Sequence, residues 1–181
     1  MNDSEIVNKF LKGDITVFNA IVDEHTKFVY HICASILKNQ HDSEDITQEV
    51  FLLVYKNLHK FKHNSSLKTW IYKISYNECL KFLKRKRIKI ELDDEGSAIA
   101  DEQEINHNEN EDVMLKVLEQ SIVELKPIES LIINLFYHKE QSLNEICEIT
   151  NLSNNNIRVI LHRSRVKLVK IINAKLNQHG K

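Results

Sequence analysis

Apolar residues recur every three or four positions along most of the chain, which is the spacing that one face of an α-helix requires. Three Gly and one Pro among 181 residues leave few of the turn residues that a sheet protein needs, so the pattern predicts an all-α fold. Asp14 and Asp42 stand where their carboxylates are expected to cap helices. In the first 90 residues we predict four helices, at 3–12, 15–37, 43–61 and 67–87.

Residues 142–165 have the pattern of two short helices joined by a tight turn. Ser142 and Glu145 have the spacing of a capping box at the start of the first helix. Asn151 is placed to end that helix, because Asn tolerates the left-handed backbone conformation, and Ser153 is placed to cap the second helix. The pattern therefore predicts a helix-turn-helix and indicates DNA as a partner.

The second helix of this motif has two chemically different faces. Helical spacing assigns to its packing face Ile157, Leu161, Ser164, Leu168 and Ile171. It assigns to the opposite face Asn155, Arg158, His162 and Arg165. After Glu148 the chain has seven basic residues and no acidic one, a local charge that suits a polyanion. An ordinary amphipathic hairpin with a solvated basic face has the same features, so both interpretations stay open at this point.

The third predicted helix carries an acidic stripe that includes a leucine. Asp45, Gln48, Glu49 and Leu52, here called the docking stripe, fall on one side by i, i+3, i+4, i+7 spacing. A second side, which can face the other helices, carries Ile46, Val50, Leu53 and Asn57. An apolar residue within an acidic surface is typical of a docking face. A solvated stripe with one exposed leucine is the alternative, since single exposed apolar side chains are common.

The fourth predicted helix mixes aromatic and basic residues. Single-stranded nucleic acid binds to this combination, because bases stack on rings and phosphates pair with cations. We expect Trp70, Ile71, Ile74 and Phe82 to lie in the core. The remaining contact set is Tyr72, Tyr76, the preceding loop at 62–66 and the basic end of the helix.

Charge changes abruptly after this helix. Residues 81–89 include six basic side chains, whereas residues 91–112 have only acidic charges and no apolar periodicity. Such a segment buries too little apolar surface to offset the ordering entropy of the backbone, about 1 to 2 kcal/mol per residue. We therefore predict two small helical domains, residues 1–90 and 113–178, joined by a flexible acidic linker at 91–112.

Several other classes of protein are not expected. The N-terminal residues lack the pattern of a secretion signal and the apolar stretches are too short to span a bilayer, so we expect a cytoplasmic chain without membrane insertion. The three Cys form no CxxC pair and the nine His lack ligand spacing, so we expect no metal and no cofactor. No phosphate loop or GxSxG motif occurs, and an enzyme is not expected.

Two segments together resemble a known family. EDITQEVFLLVYKNLHKF at 44–61, followed by LKTWIYKISYNECLKFLKRKR at 67–87, looks like region 2 of the extracytoplasmic-function (ECF) sigma factors of bacterial RNA polymerase. Residues 125–168 look like their region 4, and the two segments have the order and short linker of that family. The resemblance implies a dissociable promoter-specificity subunit with a four-helix region-2 bundle and a four-helix region-4 domain that holds the helix-turn-helix.

The resemblance also implies roles for individual residues. The docking stripe would bind the clamp helices of the largest polymerase subunit. The melted strand of the −10 element would contact Lys62, His63, Asn64, Ser65, Ser66, Tyr72, Lys73, Tyr76, Asn77, Lys81, Lys84 and Arg85. The −35 duplex would contact Ser153, Asn155, Asn156, Arg158, Val159, His162, Arg163 and Arg165. Promoter DNA, core RNA polymerase and an anti-sigma factor are the implied partners.

The helix-turn-helix departs from the family pattern at three places, one of which is Val159 and Ile160, where the family usually has a small or basic pair. Asn151 stands where the family usually has Gly, and the Asn run at 154–156 replaces a pattern that usually holds a Gly-Thr pair. Individual −35 base contacts therefore do not transfer residue by residue. A stand-alone regulator that binds duplex DNA without polymerase would use the same motif and is the alternative function.

Overall fold

The structure is a computed structural model that describes residues 2–92, 113–138 and 141–179. Within these ranges the chain forms eight α-helices and no β-strand, as the hydrophobic spacing predicts. The helices are α1 (Asp3–Leu11), α2 (Thr16–Leu37), α3 (Gln40–Asn57), α4 (Leu67–Leu92), α5 (Val113–Val123), α6 (Pro127–Ile133), α7 (Leu143–Thr150) and α8 (Asn154–His179). None of the described helices is long and apolar enough to cross a membrane.

The helices belong to two compact units, one that contains α1 to α4 and another that contains α5, α6, most of α7 and α8. The predicted arrangement of two small four-helix domains is therefore confirmed. The predicted acidic linker lies outside the described residues except for positions 91 and 92.

In the first unit, α2, α3 and α4 pack against one another and α1 lies against α2. The interior is mainly aliphatic, and its fully buried side chains include Val29, Ile32, Val50, Val54 and Ile71. Burying one such side chain stabilises the fold by about 1.5 to 3 kcal/mol. This bundle gives α3 and α4 fixed positions and leaves one face of α3 in contact with solvent.

The start of α3 corrects one prediction. The helix begins at Gln40 rather than after Asp42, and its cap is Asn39, whose side-chain oxygen accepts a hydrogen bond from the Asp42 N–H at 2.8 Å. Asn39 is extended and Asn is as effective a cap as Asp, so the helix starts at the earlier residue. The Asp42 carboxylate instead binds the Lys86 ammonium of α4 at 2.9 Å.

The start of α2 lies at Thr16, one residue later than predicted, but Asp14 accepts hydrogen bonds there as expected. The Asp14 carboxylate accepts a hydrogen bond from the Thr16 N–H at 3.1 Å and another from the Thr16 hydroxyl. These two bonds lower the pKa of Asp14.

In the second unit, α8 packs against α5 and α6. A π-helical segment, Asn134–His138, follows α6. The predicted packing face of α8 is confirmed, because Ile157, Leu161, Ser164 and Leu168 are buried and Ile171 is half-buried. The long helix therefore has one face fixed in the core and the other in solvent.

From the environment of His25 we predict that the free energy of unfolding decreases in acid. Its side chain is buried on α2 with its ring edge-on to Tyr72, and burial lowers its pKa. An unfolded His has a pKa of about 6.5, so the unfolded chain binds a proton before the folded chain does as the pH falls. The contribution of His25 is thus fully present above about pH 6.5 and is lost as the pH falls through that value toward the lower folded pKa.

We expect this loss to appear as a lower urea midpoint at about pH 5.5 than at about pH 7.5. The fluorescence of Trp70, the one Trp of the chain, reports on this unit. His25→Gln should reduce the difference between the two pH values, whereas replacing the exposed His59 with Gln should not. An equal pH effect in both variants would assign the loss to other groups.

Candidate nucleic-acid interface

The docking stripe lies on the solvent face of α3. Asp45, Gln48 and Glu49 are exposed and Leu52 is 60% exposed, whereas Ile46 and Val50 on the other side are buried. A large aliphatic side chain at this exposure retains most of its contact with water, and a partner surface would remove that contact. The spacing therefore separated the two sides of the helix correctly.

An apolar groove of about 640 Å³ lies beside the docking stripe, between α2 and α3. Leu52 and Gln48 line it from α3, and Phe18 and Val22 line it from α2. At one end, the Tyr55 ring packs edge-on against Phe18 at a centroid distance of 5.0 Å. Sequence reasoning missed the contribution of α2, although Phe18 and Val22 have the i, i+4 spacing of a shared face.

The loop 62–66 enters α4 through a local cap. The Ser66 hydroxyl accepts a hydrogen bond from the Thr69 N–H at 3.1 Å, and the Ser66 carbonyl accepts the first helical bond from Trp70. His63 has a φ of 57°, and its ring contacts the Phe61 ring at 4.5 Å. Lys62, His63, Asn64 and Ser66 are exposed and Ser65 is half-buried.

The burial predicted for the rings of α4 is wrong. Tyr72 and Tyr76 are 4% and 8% exposed, and the Tyr72 ring packs on Phe28 at 4.1 Å. Burial raises the pKa of both phenols. Of the residues expected in the core, Ile71 is buried, whereas Trp70, Ile74 and Phe82 are half-buried.

Tyr72 and Tyr76 are buried because α4 packs against two helices rather than one. Packing against both α2 and α3 buries Ile71, Tyr72, Ser75, Tyr76 and Cys79, which have the i, i+1, i+4, i+5, i+8 spacing of one wide face. Helical spacing alone is equally consistent with burial of this face and with burial of the face centred on Trp70.

The basic end of α4 is paired with acidic side chains. Lys81 contacts Glu78 on its own helix, and Lys86 contacts Asp42 on α3. Arg85 lies 3.9 Å from Glu49, so a residue of the predicted −10 set and a residue of the docking stripe are partners. More than half of each cationic side chain stays exposed. The Arg85 and Lys86 pairs contribute about 0 to 1 kcal/mol and can be exchanged for other anions. The Glu78 side chain is only 11% exposed, so Lys81 cannot leave it without leaving a nearly buried carboxylate unpaired.

The helix-turn-helix has the predicted caps. The Ser142 hydroxyl accepts from the Glu145 N–H at 3.2 Å, and the Glu145 carboxylate accepts from the Ser142 N–H at 2.8 Å. Asn151 ends α7 in the left-handed conformation with a φ of 56°. The Ser153 hydroxyl accepts from the Asn156 N–H at 3.3 Å at the start of α8.

The outer face of α8 and the Ser153 cap that precedes it carry the whole predicted −35 set, and all of these residues are exposed. Ser153, Asn155, Asn156, Val159, His162 and Arg163 are exposed. The Arg158 guanidinium, also exposed, donates from Nε to the Asn154 side-chain oxygen at 2.7 Å. The Arg165 guanidinium lies over the rings of Phe136 and Tyr137, at 5.9 and 5.4 Å from their centroids. Within this face, Arg165 is therefore held against the aromatic pair.

Comparison with known proteins accounts for both units. The family model Sigma-70 region 2 matches residues 21–88, a range that includes the docking stripe and the whole predicted −10 set. The ECF RNA polymerase sigma factor SigW of Bacillus subtilis is 30% identical over 174 residues, which cover 91% of this chain and 93% of SigW.

The chain belongs to the ECF RNA polymerase sigma factors.

A probable RNA polymerase sigma factor of Haemophilus influenzae is also 30% identical, over 79% of this chain and 84% of that protein. The sigma factor RpoE of Bartonella quintana, solved in complex with the anti-sigma factor NepR, has the same fold, with a TM-score of 0.71 at 16% identity over 91% of this chain and 98% of that one. This sigma factor is thus a transcription initiation factor that gives RNA polymerase its promoter specificity, and the interpretation as a stand-alone regulator gives way to it.

Proposed function

We propose that this sigma factor docks on the clamp helices of the largest polymerase subunit through the docking stripe. The observation that supports this is the exposure of Leu52 among three polar side chains on a helix whose other side is buried. Two carboxylates on the stripe suit a basic partner surface, and charge complementarity would steer the encounter. The adjacent groove, of about 640 Å³, offers an apolar binding surface next to Leu52.

For the −10 element, we propose the loop 62–66 together with Lys73, Asn77, Lys81, Lys84 and Arg85. Arg85 would exchange its surface partner Glu49 for a phosphate, and Lys81 would contact a phosphate while it keeps the nearly buried Glu78 as its partner. Phosphates position a strand without specifying it. Tyr72 and Tyr76 are too buried to stack on a base, and we assign them to the support of this surface. Trp70, which is half-buried and packs on Phe61 at 5.5 Å, is the ring that we propose in their place.

For the −35 element, we propose that α8 enters the major groove with Asn155, Asn156, Arg158, Val159 and His162 nearest the bases. Arg and Asn have the donor geometry for guanine and adenine edges. Ser153 and Arg163 are assigned to phosphates at the ends of this surface. Arg165 stacks on Phe136 and Tyr137, so we assign it a phosphate contact or a supporting role rather than base readout.

We further propose that two units, with the boundaries 1–90 and 113–178, bind promoter DNA separately and are joined by the acidic segment 91–112. Two weak contacts on one promoter, both tied to polymerase, gain affinity through effective concentration. The chain would act by binding rather than catalysis, in the cytoplasm where polymerase works. An anti-sigma factor, like the one bound to the Bartonella protein, would hold it inactive by covering the docking stripe or the outer face of α8.

Transcription with purified core RNA polymerase and a genomic promoter library tests this proposal. We expect transcripts from a set of fragments that share a −35 and a −10 element, and none from core polymerase alone. Binding of duplex DNA that does not depend on polymerase, without such transcripts, would return the stand-alone regulator as the better function.

A further inference from the structure

The start of α4 is held by a residue that is distant in sequence. Asp3, the first residue of α1, accepts a hydrogen bond at Oδ2 from the Leu67 N–H at 2.6 Å. Leu67 is the first residue of α4 and directly follows the loop 62–66. The first N–H groups of a helix have no acceptor within the helix, and a negative charge is favoured there by the helix dipole.

A separate, local cap serves the same helix. The Ser66 hydroxyl accepts from the Thr69 N–H, so two donors of the first turn have different acceptors, one from the loop and one from α1. If the Asp3 carboxylate is removed, α4 keeps its Ser66 cap and loses this hydrogen bond to α1. The formation of the helix and the placement of the loop are therefore separable.

α1 also contacts the chain where it enters this loop. It packs against the 3-10 turn Leu58–Lys60, and Phe61 follows that turn with its ring between His63 and Trp70. Helix α1 therefore contacts the chain at both ends of the loop 62–66. The side chains between them, at 62–64, are exposed.

We propose that Asp3 is a positioning residue for capture of the −10 strand. By accepting the Leu67 N–H, its carboxylate fixes the end of the loop 62–66 and so fixes the directions in which the loop side chains meet the strand. Asp3 itself contacts no DNA. This inference rests on the proposed −10 function of the loop, and Asp3 lies outside the region-2 match at 21–88.

The test uses the full chain bound to core polymerase. The probe is a fluorescent single-stranded oligonucleotide with the −10 sequence of a promoter identified by transcription. We expect Asp3→Ala to weaken its capture about fivefold, the factor that corresponds to the contribution of one capping acceptor to helix stability. Asp3→Asn should retain most of the affinity, because the amide oxygen accepts the same bond. Binding of a −35 duplex and of core polymerase should not change, which a general loss of folding would not allow.

Two controls make the result specific. Asp23→Asn removes an exposed carboxylate from α2, and its effect measures the contribution of charge alone. Asn64→Ala changes the exposed loop itself. Weaker capture by Asn64→Ala with unchanged capture by Asp3→Ala would overturn the positioning role and leave the −10 assignment standing, whereas no effect of either would remove both. Tighter capture by Asp3→Ala would also overturn the inference, because Asp3 would then compete with a phosphate for the helix start.

Discussion

Replacing Asp45 and Gln48 together with Arg should reduce promoter-specific transcription by more than about 100-fold, because like charges placed across an interface cost several kcal/mol. Both side chains are exposed, and the His41 contact of Asp45, at 3.6 Å, lies on the surface. The urea midpoint reported by Trp70 should therefore stay within experimental error of the parent. A pull-down with core polymerase should show that the loss occurs at binding, before promoter opening.

The matched control places the same change of charge on another exposed helix face. Asn19→Arg with Asp23→Arg also removes one carboxylate and adds two cations, on α2 and four residues apart. This variant should bind core polymerase like the parent. Unchanged binding by the Asp45 and Gln48 variant would remove the docking stripe from the proposed interface, and equal losses in both variants would make the effect one of total charge.

Sequence periodicity predicted burial well where a helix has one dominant apolar stripe. On α3 and α8 the residues assigned to the interior are buried or half-buried and those assigned to the surface are exposed. The caps at Ser142 and Ser153 and the left-handed turn at Asn151 followed from residue chemistry alone, because each satisfies backbone groups within three or four positions. Local chemistry was sufficient for the helix-turn-helix.

The same reasoning failed on α4, where both of two neighbouring faces carry aromatic side chains. Choosing between the face of Trp70 and the face of Tyr72 requires knowing that α2 and α3 both cover this helix, which is a tertiary fact. The bond between Asp3 and Leu67, which are 64 positions apart in the sequence, likewise cannot be predicted from any local pattern. The burial predicted for α4 was for this reason less accurate than the burial predicted for α8.

Arg158→Ala should lower affinity for the correct −35 sequence by about 1 to 3 kcal/mol, the range for one bidentate contact to a base pair. The exposed guanidinium is oriented by its Nε bond to the Asn154 side-chain oxygen at 2.7 Å, a bond that does not use its two terminal NH₂ groups. A donor fork held in this way matches the O6 and N7 acceptors of a guanine edge. Because the side chain is exposed, the fold should be unaffected, and competition binding by the polymerase complex on promoters with each −35 base changed in turn measures the effect.

Arg163→Ala is the control, since Arg163 is exposed on the same helix and is assigned to a phosphate. Its loss should be nearly equal on all DNA sequences and should reduce the salt dependence of binding by about one unit of slope. Arg158→Ala should instead relax the preference at one base pair, so that the parent and the variant differ on the correct sequence and converge on the substituted ones. If Arg158→Ala weakens every sequence alike, Arg158 contacts a phosphate, and base readout by this helix must rest on the Asn run and His162.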